Sequence, residues 1–312
     1  MKKRRIIKTI TSKQVQIKPT KVKGHIPVNT RAAKQYMGRY IPTLPSPKPT
    51  ESSVISNLFI KYKDYTAPCI AITHLYFKDL IDETIIALKK IPYKCEFIFT
   101  LTDGSSNTPE IHKKLKEAFP ECIILPMKNA GKDIGPKLKA IKWLRENKPT
   151  NKYKYLLFLH DKKHGGGKLG AAWRTLLYNT LCSHRMFTSG FYALETEPKV
   201  KMVSAARWVI YGKMYGVMHG GDGGPANRQN LHNTCMKLGI KFPEQYGFVG
   251  GTMFWCDFEH FNKCWTNNRL NIAINAMDKE IGNFKEPSFT HAIERIFGML
   301  VTAETNNLIM KI

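Results

Sequence analysis

The residues best equipped for chemistry stand together at His160-Asp161-Lys162-Lys163. They follow the wholly apolar or aromatic run Tyr155–Leu159, and they lead into His164, three consecutive glycines and a stretch holding Trp173 and Arg174. A run of that length and composition reads as a buried strand. An abrupt change to charge puts these side chains at the carboxyl edge of a sheet, where open α/β sheets bind ligands. Lys162 and Lys163 could neutralise phosphate as point charges, and Asp161 could hold a divalent ion that bridges a diphosphate. The second acid of a D-x-D pair is missing, because Lys163 occupies that place. The plain alternative is an ordinary charged loop.

Three further groups carry possible chemistry. In Asn129–Pro136, Gly131, Lys132 and Asp133 precede a helical stretch. Free amides at a helix start attract anions, and Asp133 could bind a sugar hydroxyl. A helix cap with turn glycines explains the same spacing. Gly250-Gly251-Thr252-Met253-Phe254-Trp255 could let backbone approach a sugar beside aromatic side chains, or could be a packed core strand. His291 and Glu294 are three apart and share a helix face, which suits a general base or an ion ligand. A surface helix pattern fits them too. Trp173 and Arg174 could stack on or clamp a ligand, or simply pack their helix against the sheet.

Elements that would position these groups follow from periodicity. Strands are expected at Pro68–Tyr76, Cys95–Thr102, Cys122–Pro126, Tyr155–Leu159, Val200–Ala205 and Phe248–Trp255. Helices are expected over Lys78–Lys90, from Thr108-Pro109 onward, from the Asn129 loop through Arg145, over Asn230–Leu238 and over Pro287–Phe297, with Ser288 as a cap. Strand and helix alternate at this spacing in a parallel sheet with helices on its faces. Neither a GxGxxG after the first strand nor a GxxxxGK[ST] is present, so the ordinary dinucleotide and P-loop sites are excluded.

The 43% apolar content is that of a globular chain, but the net charge is +25. Residues 1–50 contain 13 lysines and arginines and no acidic residue, and several prolines close that stretch. Residues 1–52 therefore read as a basic, disordered tail, and 53–312 as the folded domain. The excess charge favours anionic partners: nucleotides, acidic glycan, nucleic acid or an anionic membrane surface. Seven cysteines without a CxxC read as reduced, buried thiols rather than a zinc site. No apolar run is long enough for a transmembrane helix, and the basic start develops no signal core. A cytoplasmic location follows, with peripheral membrane contact through the tail as an option.

Five pieces, in order, resemble the rhamnan synthesis protein F family: Thr73-His-Leu-Tyr-Phe-Lys-Asp-Leu, Asn129-Ala-Gly-Lys-Asp-Ile-Gly-Pro, Phe158-Leu-His-Asp-Lys-Lys with Trp173-Arg174, Gly250-Gly-Thr-Met-Phe-Trp, and His291-Ala-Ile-Glu-Arg. The likeness spans roughly residues 66–300 and leaves the basic tail outside. It implies a GT-A-like nucleotide-diphospho-sugar transferase fold and transfer of L-rhamnose from a dTDP or UDP donor to a glycan acceptor in surface polysaccharide synthesis. On that reading the nucleotide sugar meets His74, Asp103, Asn129, Gly131, Lys132, Asp133, His160, Lys162, Lys163, Trp173, Arg174, Gly250, Gly251, Thr252 and Trp255. Glu294 is the expected proton acceptor, with Asp222 and Asp257 in reserve. Asp161 and His291 would hold Mn2+ or Mg2+ if a metal is used. The family pattern has His-Ser/Thr-Lys-Lys where this chain has His160-Asp161-Lys162-Lys163, which leaves metal use open. The alternatives are a transferase for another hexose and a non-catalytic basic protein binding nucleic acid or acidic glycan.

Overall fold

The structure, a computed structural model, describes residues 68–163, 168–184, 186–211, 225–243, 246–282, 285 and 287–312. Among these residues seven strands form the main sheet: β1 (Cys69–Leu75), β2 (Cys95–Thr102), β3 (Ile123–Met127), β4 (Tyr155–His160), β5 (Val200–Ser204), β8 (Phe254–Asp257) and β9 (Leu308–Lys311). A separate antiparallel pair is made by β6 (Val209–Tyr211) and β7 (Gly247–Val249). The main sheet runs β3-β2-β1-β4-β8-β5-β9. β1 pairs parallel with both β2 and β4, β2 with β3, and β5 with β9, while β8 runs antiparallel between β4 and β5.

The helices are α1 (Ile81–Leu88), α2 (Pro109–Ala118), α3 (Ile134–Asn147), α4 (Lys168–Leu181), α5 (Tyr192–Thr196), α6 (Pro225–Lys237), α7 (Phe258–Cys264), α8 (Asn267–Met277) and α9 (Phe289–Met299). Alternation along the strands feeds two cores, one on each face. Ile70, Ile72, Leu156 and Phe158 pack with α3, α6, α7, α8 and α9. Ala71, Leu75, Tyr155, Leu157 and Leu159 pack with α1, α2, α4 and α5. This is the α/β class expected: a mostly parallel central sheet with helices on both faces.

Start signals act where they were expected. Thr108 accepts from the Ile111 amide with Pro109 in the first turn, and Ser288 accepts from the His291 amide at 3.2 Å. The expected strand Phe248–Trp255 is instead two strands, β7 and β8. Gly251 (φ +83°) and Thr252 (φ +49°) take left-handed backbone and turn the chain between them. All seven cysteines are free thiols, and six are buried.

α9 crosses β7 so closely that a Cβ on Gly298 would overlap the Gly247 carbonyl and the Phe248 Cα. Backbone atoms cannot swing aside as a side-chain tip can. Gly298→Ala is therefore expected to cost about 1–3 kcal/mol or more, the scale of core overpacking. A lowered urea midpoint with an unchanged slope is the measurement, and a wild-type midpoint would contradict the crossing.

Candidate active site

Parallel pairing in register sets His74 of β1 beside His160 of β4 at the carboxyl edge of the sheet. There a cavity of about 620 Å³ is lined by His74, Asn129, Lys132, Asp133, His160, Asp161, Lys162 and Lys163, together with Tyr76, Phe77 and Gly282. Four separate stretches of the sequence thus meet at one opening.

The Asn129–Asp133 loop forms one wall. Gly282 donates to the Asn129 carbonyl at 3.0 Å and Gly131 donates to the Glu280 carbonyl at 2.9 Å. Glu280 in turn accepts from the Phe289 and Thr290 amides at 2.7 and 2.9 Å, capping α9. The same short segment therefore ties the loop to the helix that carries His291 and Glu294. Lys132 sits at φ +49°, and its Nζ lies 3.1 Å from His291 Nε2. His291 Nδ1 lies 2.6 Å from Ser288 Oγ. Glu294 Oε1 accepts from the Gly251 amide at 2.5 Å. The last helix and the cavity are one connected structure.

Beneath the floor lies Lys137, which sequence reading missed. Its ammonium is fully buried. It donates to Asp133 Oδ2 (2.9 Å) and the Thr252 carbonyl (3.0 Å), and it faces His160 Nδ1 (3.0 Å) and Thr252 Oγ1 (3.1 Å). Thr252 Oγ1 also bonds Asp133 Oδ2. A signal was there to read: Ile134, Lys137, Leu138 and Ile141 share the buried face of α3, so a lysine stands among core positions. Thr252 is β-branched at positive φ, an outlier of the kind that needs surrounding contacts to hold it. Its bonds to Asp133 and Lys137 supply them.

Burial sets the ionisation of the two histidines. It lowers His74 to about 4 and holds His160 well below the ordinary histidine range, against the attraction of Asp133. Burial also works against the Asp133 carboxylate, but His160, the Lys137 ammonium and the Thr252 hydroxyl together keep it well below the ordinary range. Lys137 itself is lowered, chiefly by burial, with Asp133 opposing.

Asp161 has a different setting from the one expected of a metal ligand. Its Oδ2 accepts from the Tyr76 and Phe77 amides at 2.8 and 2.6 Å, and its Oδ1 is buried without a hydrogen-bond partner. One oxygen is thus held by backbone and the other is buried. His291, the other expected ligand, is engaged by Ser288 and Lys132. Among the described residues, no three His, Cys, Asp or Glu side chains converge as a metal site would require. These donors do not fit a divalent ion, whereas the lysines around them fit an anion.

Burial pushes Asp161 up to about 7, against the pull of the two amides and Arg174. Its folded state therefore holds a proton more tightly than the unfolded chain does. The corresponding stability is present below about pH 4 and is lost as pH rises toward 7. His74 and His160 act in the opposite sense, so the useful measurement is a difference. The stability of wild type minus that of Asp161→Asn should fall between pH 4 and 7, with a slope approaching roughly 1.4 kcal/mol for each pH step of one. A flat difference in urea melts would contradict this setting.

Other expected site residues take supporting places. Arg174 is buried, pairs with Glu83 through two nitrogens (3.0 and 2.7 Å), and donates to the Lys162 carbonyl at 2.5 Å. It holds the loop after β4 rather than clamping a ligand. Trp173 stacks on Trp208 with centroids 3.8 Å apart, and Lys162 Nζ lies 3.8 Å from the Trp173 ring centroid. A Cβ on Gly251 would come within 3.1 Å of Trp173. Glycine there admits an indole, not the sugar suggested by the sequence; a Cβ on Gly250 would come within 3.1 Å of Ile210 Cδ1.

Trp255 is fully buried, with its Nε1 donating to the Leu181 carbonyl at 2.8 Å, so it belongs to the core and not to a pocket. Asp103 is exposed on the turn after β2, accepts from Asn107 at 2.7 Å, and does not line the cavity. Asp257 pairs in register with Tyr155, at the opposite edge of the sheet from His160. It caps α7 through the His260 amide and pairs with Lys201 at 3.0 Å, which removes it as a reserve proton acceptor. Asp222, His164, the three glycines after it and the basic stretch 1–52 lie outside the described residues.

Sheet and site together define an α/β protein with a lysine-lined cavity at the carboxyl edge of its sheet. The profile of the rhamnan synthesis protein F family matches residues 8–306, and the chain belongs to that family. The match reaches back into the basic stretch, which the motif-level resemblance had left outside. No curated protein matches the chain. Seven solved chains do. One is the mannosyltransferase PcManGT from Pyrobaculum calidifontis in complex with GDP-Man and Mn2+, at 13% identity and a TM-score of 0.34, covering 75% of this chain and 64% of that one. The present chain thus spans less than two thirds of that protein's length. No helix among the described residues is long and apolar enough to cross a membrane.

Proposed function

We propose that the chain is a glycosyltransferase of GT-A-like fold that moves a deoxyhexose, L-rhamnose, from a dTDP- or UDP-linked donor to a glycan hydroxyl in surface polysaccharide synthesis. Residues 53–312 form the transferase domain, working on the cytoplasmic side. Family membership supports the transferase class, and one observation carries the site: Lys132, Lys162 and Lys163 line one cavity, while the Asp161 carboxylate beside them has one oxygen held by two backbone amides and the other buried. Fixed cations aimed at a departing diphosphate stabilise charge as it develops, without reorganisation. Glu294, held on the Gly251 amide and one helical turn from the His291 that Lys132 of the cavity contacts, takes the acceptor proton.

Thermal stabilisation by dTDP and UDP, each with manganese and with a chelator, tests nucleotide and metal use together. One of the two nucleotides should raise the melting temperature in chelator, and transfer from the matching rhamnose donor should follow. A panel of other nucleotide sugars separates rhamnose from another hexose. No stabilisation by either nucleotide under any condition would overturn the reading.

The charge of residues 1–50 favours a second role, contact with an anionic membrane surface or nucleic acid. Deleting them should abolish salt-sensitive binding to anionic vesicles or nucleic acid and leave sugar transfer intact.

A further inference from the structure

The Lys137 ammonium stands against four polar atoms. An ammonium carries three N–H donors and no acceptor. Around Nζ stand Asp133 Oδ2 at 2.9 Å, the Thr252 carbonyl at 3.0 Å, Thr252 Oγ1 at 3.1 Å and His160 Nδ1 at 3.0 Å. Thr252 Oγ1 directs its own hydrogen to Asp133 Oδ2, so it presents a lone pair to the ammonium. His160 Nδ1 lies at hydrogen-bond distance from a group that can only donate.

We infer that Lys137 fixes His160 in the tautomer that keeps Nδ1 bare and carries its proton on Nε2, making the ring a neutral donor to the cavity. The competing arrangement would point Nδ1–H at Asp133 Oδ2, 3.3 Å away. It would set a ring N–H against an ammonium 3.0 Å from the same nitrogen. A doubly protonated ring meets the same repulsion and also loses solvation, since His160 is buried. Nε2 meets no hydrogen-bonding atom among the described residues, and His160 lines the cavity. The nitrogen left for a ligand is thus the protonated one.

Lys137 is accordingly a positioning residue that acts through His160. Through Thr252 it also ties β4 to the turn on which Glu294 is seated. The identity of the acceptor that Nε2–H meets, a phosphate oxygen of a nucleoside diphosphate, rests on the function proposed above. The tautomer does not.

The test is a long-range 1H–15N spectrum of the full chain, labelled at its ten histidines, between pH 6 and 8. His160→Gln identifies the signal by its loss. Without ligand, His160 should show an unprotonated Nδ1 and a protonated Nε2. A protonated Nδ1 would overturn the inference. In Asp133→Asn with Lys137→Met, which removes the buried ammonium and its carboxylate partner together, the signal should shift toward a mixture of tautomers. An unchanged signal there would overturn the part given to Lys137. The wild-type spectrum decides the tautomer even if the double variant does not fold. Adding UDP and dTDP to wild type should shift the Nε2 proton. Failure of both nucleotides to bind would strike the functional reading and leave the tautomer result standing.

Discussion

Glu294→Gln is expected to lower sugar transfer about a hundredfold or more while leaving the fold in place. The carboxylate does two things that this substitution separates. Its Oε1 accepts the Gly251 amide at 2.5 Å, which pins the Gly250–Thr252 turn. A glutamine oxygen accepts that amide as well, so the turn, its bonds to Asp133 and Lys137, and the melting temperature should survive. What glutamine cannot do is take a proton from an attacking hydroxyl, and a positioned general base contributes about 10²–10⁴ in rate. Glu294→Ala should lose both functions. It strands the Gly251 amide and adds a stability loss of about 1–3 kcal/mol, the cost of an unsatisfied buried donor. The measurement pairs turnover at saturating donor with a thermal melt. Wild-type turnover in the glutamine variant would move the proton acceptor elsewhere, with Asp222 first in line among the acids named from the sequence.

Much of this arrangement was legible because local signals and tertiary placement agree. The apolar run before His160 is a central strand, and the change to charge does mark the carboxyl edge. Thr108-Pro109 and Ser288 start helices for the reasons their residue types suggest. Failures came where a side chain's role is set by a partner distant in sequence. Asp161 looked like a metal ligand because nothing in its neighbourhood announces that the amides of Tyr76 and Phe77, some 85 residues earlier, occupy one of its oxygens. Trp255 and Arg174 looked like ligand contacts because aromatic and guanidinium groups serve cores and pockets alike. The antiparallel insertion of β8 was hidden for a similar reason. Two glycines within an apolar stretch suit a close-packed strand as well as a turn, and the side chains packed against them, Trp173 on Gly251 and Ile210 on Gly250, lie far off in sequence.

The second large effect is expected at Lys162, and comparison with its neighbour makes it specific. Both lysines line the cavity, but their charges are differently placed. Lys163 is paired with Asp79 at the rim, where the two side chains are 43% and 63% exposed. Such a pair is worth about 0–1 kcal/mol, and its cation is already partly neutralised and screened. Lys162 faces no carboxylate among the described residues. Its Nζ rests over the Trp173 ring, and its carbonyl is gripped by Arg174, itself locked onto Glu83. Its charge is therefore held in place and left for the ligand. Loss of a preorganised contact to developing charge costs about 10²–10³ in rate. Lys162→Met should fall in that range for transfer, while Lys163→Met loses less than about tenfold. Raising salt from about 50 to about 500 mM should weaken nucleotide binding to wild type and have a smaller effect on the Lys162 variant, because one screened contact is already gone. Equal losses at the two lysines would show that net charge alone draws the ligand, and that the anchoring of Lys162 by Arg174 has no bearing on transfer.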